Sequence, residues 1–146
     1  MSEAPKGVTG ASPPAIGPAP SLDDIAALAE AAFAALPAKF REMAGEVLFR
    51  VEDFAEPAIL KDLDIEDAFE LTGLYQGVDL GRRSILGPAS GPSMVFLYRR
   101  PILDEWAERG DIGLETLVAH VLVHEIGHHF GLSDAQIEAI ERASER

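Results

Sequence analysis

The residues able to do chemistry in this 146-residue chain gather near its C-terminus, in the run His124-Glu125-Ile126-Gly127-His128-His129-Phe130-Gly131-Leu132-Ser133-Asp134. Side chains four apart on a helix project from one face, so His124 and His128 can grip one metal ion between them. Glu125 is turned by about 100° from His124 at 3.6 residues per turn. It need not be a ligand, and its carboxylate can instead take a proton from a water beside the ion. Past His128, Gly131 permits the left-handed backbone of a sharp turn. Asp134 follows at a spacing that can return a carboxylate as third ligand. Two imidazoles and one carboxylate suit Zn²⁺ and leave a fourth position open for water. The chemistry implied is metal-assisted hydrolysis of an amide, with a peptide or protein as substrate.

Structural readings compete with parts of this assignment. The histidines can be core residues hydrogen-bonded to carboxylates, and Glu125 can pair with an arginine. Asp134 can instead serve as a cap at a helix start. A Glu from the next helix, Glu138 or Glu141, is the alternative third ligand. His129 points away from the His124/His128 face and reads as structural, whereas His120 shares that face one turn earlier and lines the cleft or packs.

The element that must position these groups is a helix from Leu114 to Phe130. Projected at about 100° per residue, Ala119, Leu122, Ile126 and Phe130 share the core side, and His120, His124 and His128 lie roughly opposite. Val118 and Val121 widen the apolar surface, so the helix should be largely buried. Ser133 and Gln136 form a capping box for a final helix.

Upstream, Ser21 caps a helix with Asp23 and Asp24 in its first turn and Ile25, Leu28, Ala29, Ala32, Phe33 and Leu36 at helical spacing. Pro37 opens a shorter helix to about Ala44 that turns Phe40 and Met43 inward, and Gly45 stops it. Val47, Phe49 and Val51 alternate as a strand, Pro57 opens a short helical stretch, and Phe69 to Tyr75 reads as a second strand. The segment from Gly77 to Pro92 turns repeatedly, and Arg82 and Arg83 in it can rim a cleft. Met94 to Tyr98 is the clearest strand; Pro101 ends it and begins a helix to about Arg109. Residues 1–20, with five prolines, read as a flexible tail, leaving one domain over 21–146.

Composition removes several classes of function. There is no cysteine, which excludes disulfides, cysteine zinc sites and thiol nucleophiles. The net charge of −13 opposes binding to phosphate backbones, so nucleic acid is not an expected partner. No apolar run approaches the ~20 residues of a membrane helix. With no signal-peptide pattern at the N-terminus, the expected location is the cytoplasm.

The run from His124 to Asp134 resembles the metzincin-type consensus with Asp in place of the third His. More closely it resembles the small bacterial zincin-like metallopeptidase family, as do Leu74-Tyr75-Gln76-Gly77 and Leu97-Tyr98-Arg99-Arg100-Pro101-Ile102. The resemblance implies an α+β, minimal zincin-like fold: a small mixed sheet packed on helices, with the active-site helix beneath a cleft. It departs from true metzincins in that none of the 12 residues after Asp134 is methionine, so a Met-turn beneath the metal is not expected. By analogy with zincin edge strands, Met94–Tyr98 is expected to receive substrate by β-augmentation through Val95, Leu97 and Tyr98. The rival reading is a non-catalytic zinc-binding module, regulatory or interaction-forming, on the same fold.

Overall fold

The structure is a computed structural model that describes residues 18–76 and 93–144. Arg82, Arg83 and the tail up to residue 17 lie outside the described residues. Helix α1 (Leu22–Ala34) starts where the sequence signals it. Ser21 Oγ accepts from Asp24 N, and Asp24 returns the bond from the Ser21 backbone, so two otherwise orphaned amides are satisfied. Helix α2 (Ala38–Ala44) follows Pro37 and stops at Gly45, whose φ of 73° is the left-handed region. Phe40 is buried, but Met43 is exposed rather than inward. Leu36, Phe40 and Ala44, four apart, form the buried stripe of this segment.

Strand β1 (Val47–Glu52) is followed by helix α3 (Pro57–Asp62) and a 3₁₀ turn at Ala68–Glu70. The second strand is shorter than Phe69–Tyr75. It runs over Gly73–Gln76 as β2, because Asp67 Oδ1 accepts from Phe69 N at 3.0 Å and curls Phe69 into the 3₁₀ turn. Strand β3 (Ser93–Tyr98) leads straight into helix α4 (Arg99–Arg109). That helix begins two residues before Pro101, which sits in its first turn, where an amide has no intrahelical partner to lose.

Sheet order is β1-β3-β2. Val47–Glu52 pairs in parallel with Ser93–Tyr98, and Gly73–Gln76 runs antiparallel to Met94–Leu97. The fold is therefore α+β with a small mixed sheet. Helices α1 and α5 (Leu114–His129) pack against each other, α1 reaching β1 and α5 reaching β2. The core between them contains Ile25, Ala29, Val95, Leu97, Leu117 and Leu122, each fully buried. Every large aliphatic among them stabilises the fold by about 1.5–3 kcal/mol through burial. Trp106 Nε1 donates to Ile112 O at 3.0 Å and braces the short link from α4 to Gly113, the residue capping α5. No described helix is long and apolar enough to cross a membrane.

Candidate metal centre

Helix α5 buries Leu117, Val118, Leu122 and Ile126 completely. Phe130, expected on the same side, is instead 39% exposed. It is the residue after the last helical position, where the backbone has already begun to turn, and its ring rests near Tyr75 and His129. The turn itself is fully hydrogen-bonded. Leu132 N donates to Gly127 O at 2.9 Å and Gly131 N to His128 O at 3.0 Å, with Gly131 at φ 78°. This is the Schellman pattern, and the positive φ explains the glycine.

Helix α6 (Asp134–Ser144) starts at once. Ser133 Oγ accepts from Gln136 N at 3.1 Å, and Gln136 Oε1 accepts from Ser133 N at 2.8 Å. The capping box is thus closed, and Asp134 becomes the first helical residue with its carboxylate unused by the cap. Gly127 lets α6 fold back closely. A Cβ there would come within 2.9 Å of Ile137 Cγ1, and Ile137 is fully buried.

Two pairs then form along the seam between α5 and α6. Near the turn, His128 Nε2 and Asp134 Oδ1 lie 3.2 Å apart. Two turns further along α5, His120 Nδ1 lies 2.6 Å from Glu141 Oε2. His124 stands between, its ring 4.1 Å from that of His120 and 5.5 Å from that of His128. Its Nε2 is 3.9 Å from Glu141 Oε1. Among the described residues, His120, His124 and Glu141 form the group whose three donor atoms all lie within 4.8 Å of one another. The structure therefore brings His128 to Asp134, and turns His124 towards Glu141.

Glu125 occupies a different flank of α5. A Cβ on Gly73 would come within 3.4 Å of Glu125 Cγ and 2.8 Å of Val121 Cγ1, so the bare backbone of β2 lies directly on this side chain. Burial pushes the Glu125 carboxyl above its ordinary value, against the opposing pull of His128. His124 moves the other way. Burial first, then the neighbouring His120, hold it below the usual histidine range, although Glu141 and Asp134 oppose. Both shifts suit a metal centre, one keeping an imidazole neutral for coordination and the other making a carboxylate readier to hold a proton.

The strand expected to receive substrate cannot do so by augmentation. β3 is the middle strand, paired on both edges, and Val95, Leu97 and Tyr98 are each 0% exposed. Tyr98 is a buried phenol whose pKa is pushed up to about 12 by burial and by Glu52, Glu56 and Glu125. Its hydroxyl has no hydrogen-bond partner among the described residues. His129 stacks on Tyr75 at 4.3 Å, a packing role. What the sequence reading missed is the partnership of His120. The signal was present: His120 and His128 lie eight apart on one helix, Asp134 and Glu141 seven apart on the next, so helices folding back on each other match them in pairs.

A family model described as zincin-like metallopeptidase matches residues 44–143, which run from the end of α2 almost to the end of α6. The chain belongs to that family. No curated protein matches the sequence. Membership in the zincin-like metallopeptidases implies a bound metal, and both the His128–Asp134 pair and the His120, His124 and Glu141 group offer donors of the kind that hold one. Ligands at 2.0–2.2 Å from a tetrahedral zinc stand about 3.4 Å apart, close to the 3.2 Å between His128 Nε2 and Asp134 Oδ1.

Proposed function

We propose that the protein is a zinc-dependent peptidase in which His124, His128 and Asp134 hold the ion and Glu125 handles the proton. The observation carrying this reading is the half-buried Glu125 carboxylate, seated between the ligand helix and β2, one residue on from His124. A purely structural zinc site has no use for a desolvated carboxylate beside its ligands, which weighs against the non-catalytic alternative. Bound zinc would supply Lewis-acid polarisation of the scissile carbonyl and acidify the attacking water.

The chain's own residues do the rest. His124, rotated about its side-chain bonds, and His128 present neutral imidazoles, and Asp134 adds one negative charge. Glu125 accepts the water's proton on a carboxylate oxygen and passes it to the leaving amine. Its raised pKa makes the protonated form less costly, which suits a group that must hold a proton between two steps. The substrate role once given to Val95, Leu97 and Tyr98 moves to β2. Among the described residues its outer edge has no partner strand, and its face at Gly73 lies on the Glu125 side chain. An extended peptide added there would lie beside the proton acceptor.

The test pairs zinc analysis with a diverse peptide library, using wild type and Glu125→Gln. The variant should keep its zinc and lose roughly 10²–10⁴-fold in kcat/KM, the usual contribution of a general base. Wild type that holds zinc yet cleaves nothing, or a variant that cleaves as fast, ends the peptidase reading.

A further inference from the structure

We infer that α5 and α6 carry a second cation position, made by His120, His124 and Glu141, separate from the one that Asp134 completes. Three observations carry it. The three donor atoms already lie within 4.8 Å of one another. The Glu141 carboxylate divides its oxygens between the two rings, Oε2 at 2.6 Å from His120 Nδ1 and Oε1 at 3.9 Å from His124 Nε2. The two imidazoles lie side by side at 4.1 Å, so both can turn a nitrogen lone pair towards one point. Two imidazoles and a carboxylate are a zinc donor set. The wall beside them favours an ion further. His120 and Glu141 border a mostly apolar groove of about 440 Å³ between α1 and α5, lined by Leu28, Ala32, Leu36 and Val123 together with Glu115 and Thr116. Apolar surroundings weaken the competition from water for the same donors.

This position binds without hydrolysing. Five residues separate His120 from Glu125, which places them about 140° apart around the helix, against about 60° for His128. Among the described residues, the other carboxylate at this groove is Glu115, which is exposed rather than packed under a strand as Glu125 is, so no desolvated proton acceptor accompanies an ion on this side. A neutral imidazole has one acceptor nitrogen, so His124 serves one position at a time. An ion held by His120 and Glu141 draws His124 away from His128 and Asp134. The inference uses only this geometry and stands apart from the peptidase reading.

The test uses the full chain, stripped of metal and titrated with Zn²⁺ alone. His128→Ala with Asp134→Ala removes two donors of the first position and keeps all three of the second. This double variant should bind about one equivalent of zinc. Adding His120→Ala and Glu141→Gln should weaken that binding at least tenfold. A folded double variant that binds no zinc, or binding indifferent to the added substitutions, overturns the inference. Should the variant not fold, the wild type answers by ring ¹⁵N NMR, since the chain has only 4 histidines. A coordination shift at a His120 ring nitrogen as zinc is added supports the second position, and an unshifted His120 beside shifted His124 and His128 overturns it. In the latter case peptide cleavage dependent on Glu125 would persist. A shifted His120 in a protein that cleaves nothing would instead remove the peptidase reading alone.

Discussion

On one flank of α5, Glu125 lies under the backbone of β2, with the exposed His128–Asp134 pair close by. On the other flank, His120 and His124 face Glu141 beside an apolar groove. Both flanks combine imidazole with carboxylate, yet the carboxylates are used differently. Glu141 is engaged by histidine nitrogens. Among the described residues, no cation lies within ion-pair distance of Glu125, and burial raises its pKa against the lesser pull of His128. A carboxylate committed to histidine partners suits a ligand's part, and one that is desolvated and uncommitted suits a base's. Residue type does not separate these roles; the neighbouring element does.

The comparison is broken most severely by Asp134→Ala. If Asp134 completes the hydrolytic position, zinc affinity measured in a His120→Ala background, which removes a donor of the second position, should fall by more than the ~10–100-fold typical of residues that only support a ligand. Competition with a chromophoric chelator measures it. Unchanged affinity would transfer the third-ligand role to Glu141 or Glu138. The next effect is on pH dependence. Glu125 must be deprotonated to act, and burial raises its pKa from the ordinary 4.5. The acid limb of kcat/KM should therefore lie above pH 4.5, with activity falling about tenfold per pH unit below it. A limb at or under 4.5 would mean that another group sets it.

Packing substitutions sharpen the contrast further. Gly73→Ala forces a Cβ against Val121 and the Phe96 carbonyl and should cost about 1–3 kcal/mol in urea denaturation. It should also lower kcat by shifting Glu125. On the other flank, Gly127→Ala crowds Ile137, but alanine recovers about 1 kcal/mol of helix propensity, so its net cost should be smaller. The smallest effects compare two caps. Ser21→Ala and Ser133→Ala each remove a capping box and should cost about 0.5–2 kcal/mol. Only Ser133→Ala should also loosen zinc, because its helix carries Asp134 and Glu141.

Much of this was legible beforehand because it is local. The caps at Ser21 and Ser133, the stops at Gly45 and Gly131, and the helix holding His124 and His128 are set by groups within a few residues of one another. Local pattern misleads where a single side-chain bond, a helix end or the exact position of a buried stripe outweighs periodicity and apolar type. The Asp67 side chain holds Phe69 in a 3₁₀ turn and so keeps it out of the strand. Phe130 sat one residue past the last turn, so helical periodicity no longer described it. Apolar type points Met43 inward, whereas the buried stripe runs through Leu36, Phe40 and Ala44.

The sequence by itself determined the chemistry available to this protein: the metal-ligand spacing on one helix, the glycine turn, the returning carboxylate and the family these imply. Those follow from helix pitch and backbone sterics, which a short stretch of chain fixes alone. The tertiary structure decided which groups share a neighbourhood. It put β3 in the middle of the sheet, closing it to substrate, and laid β2 over Glu125 from some fifty residues upstream. It also set Glu141 against His120 rather than leaving it in solvent. Strand order and helix docking arise from burial of apolar faces that are distant in sequence, and no local spacing encodes which faces will meet.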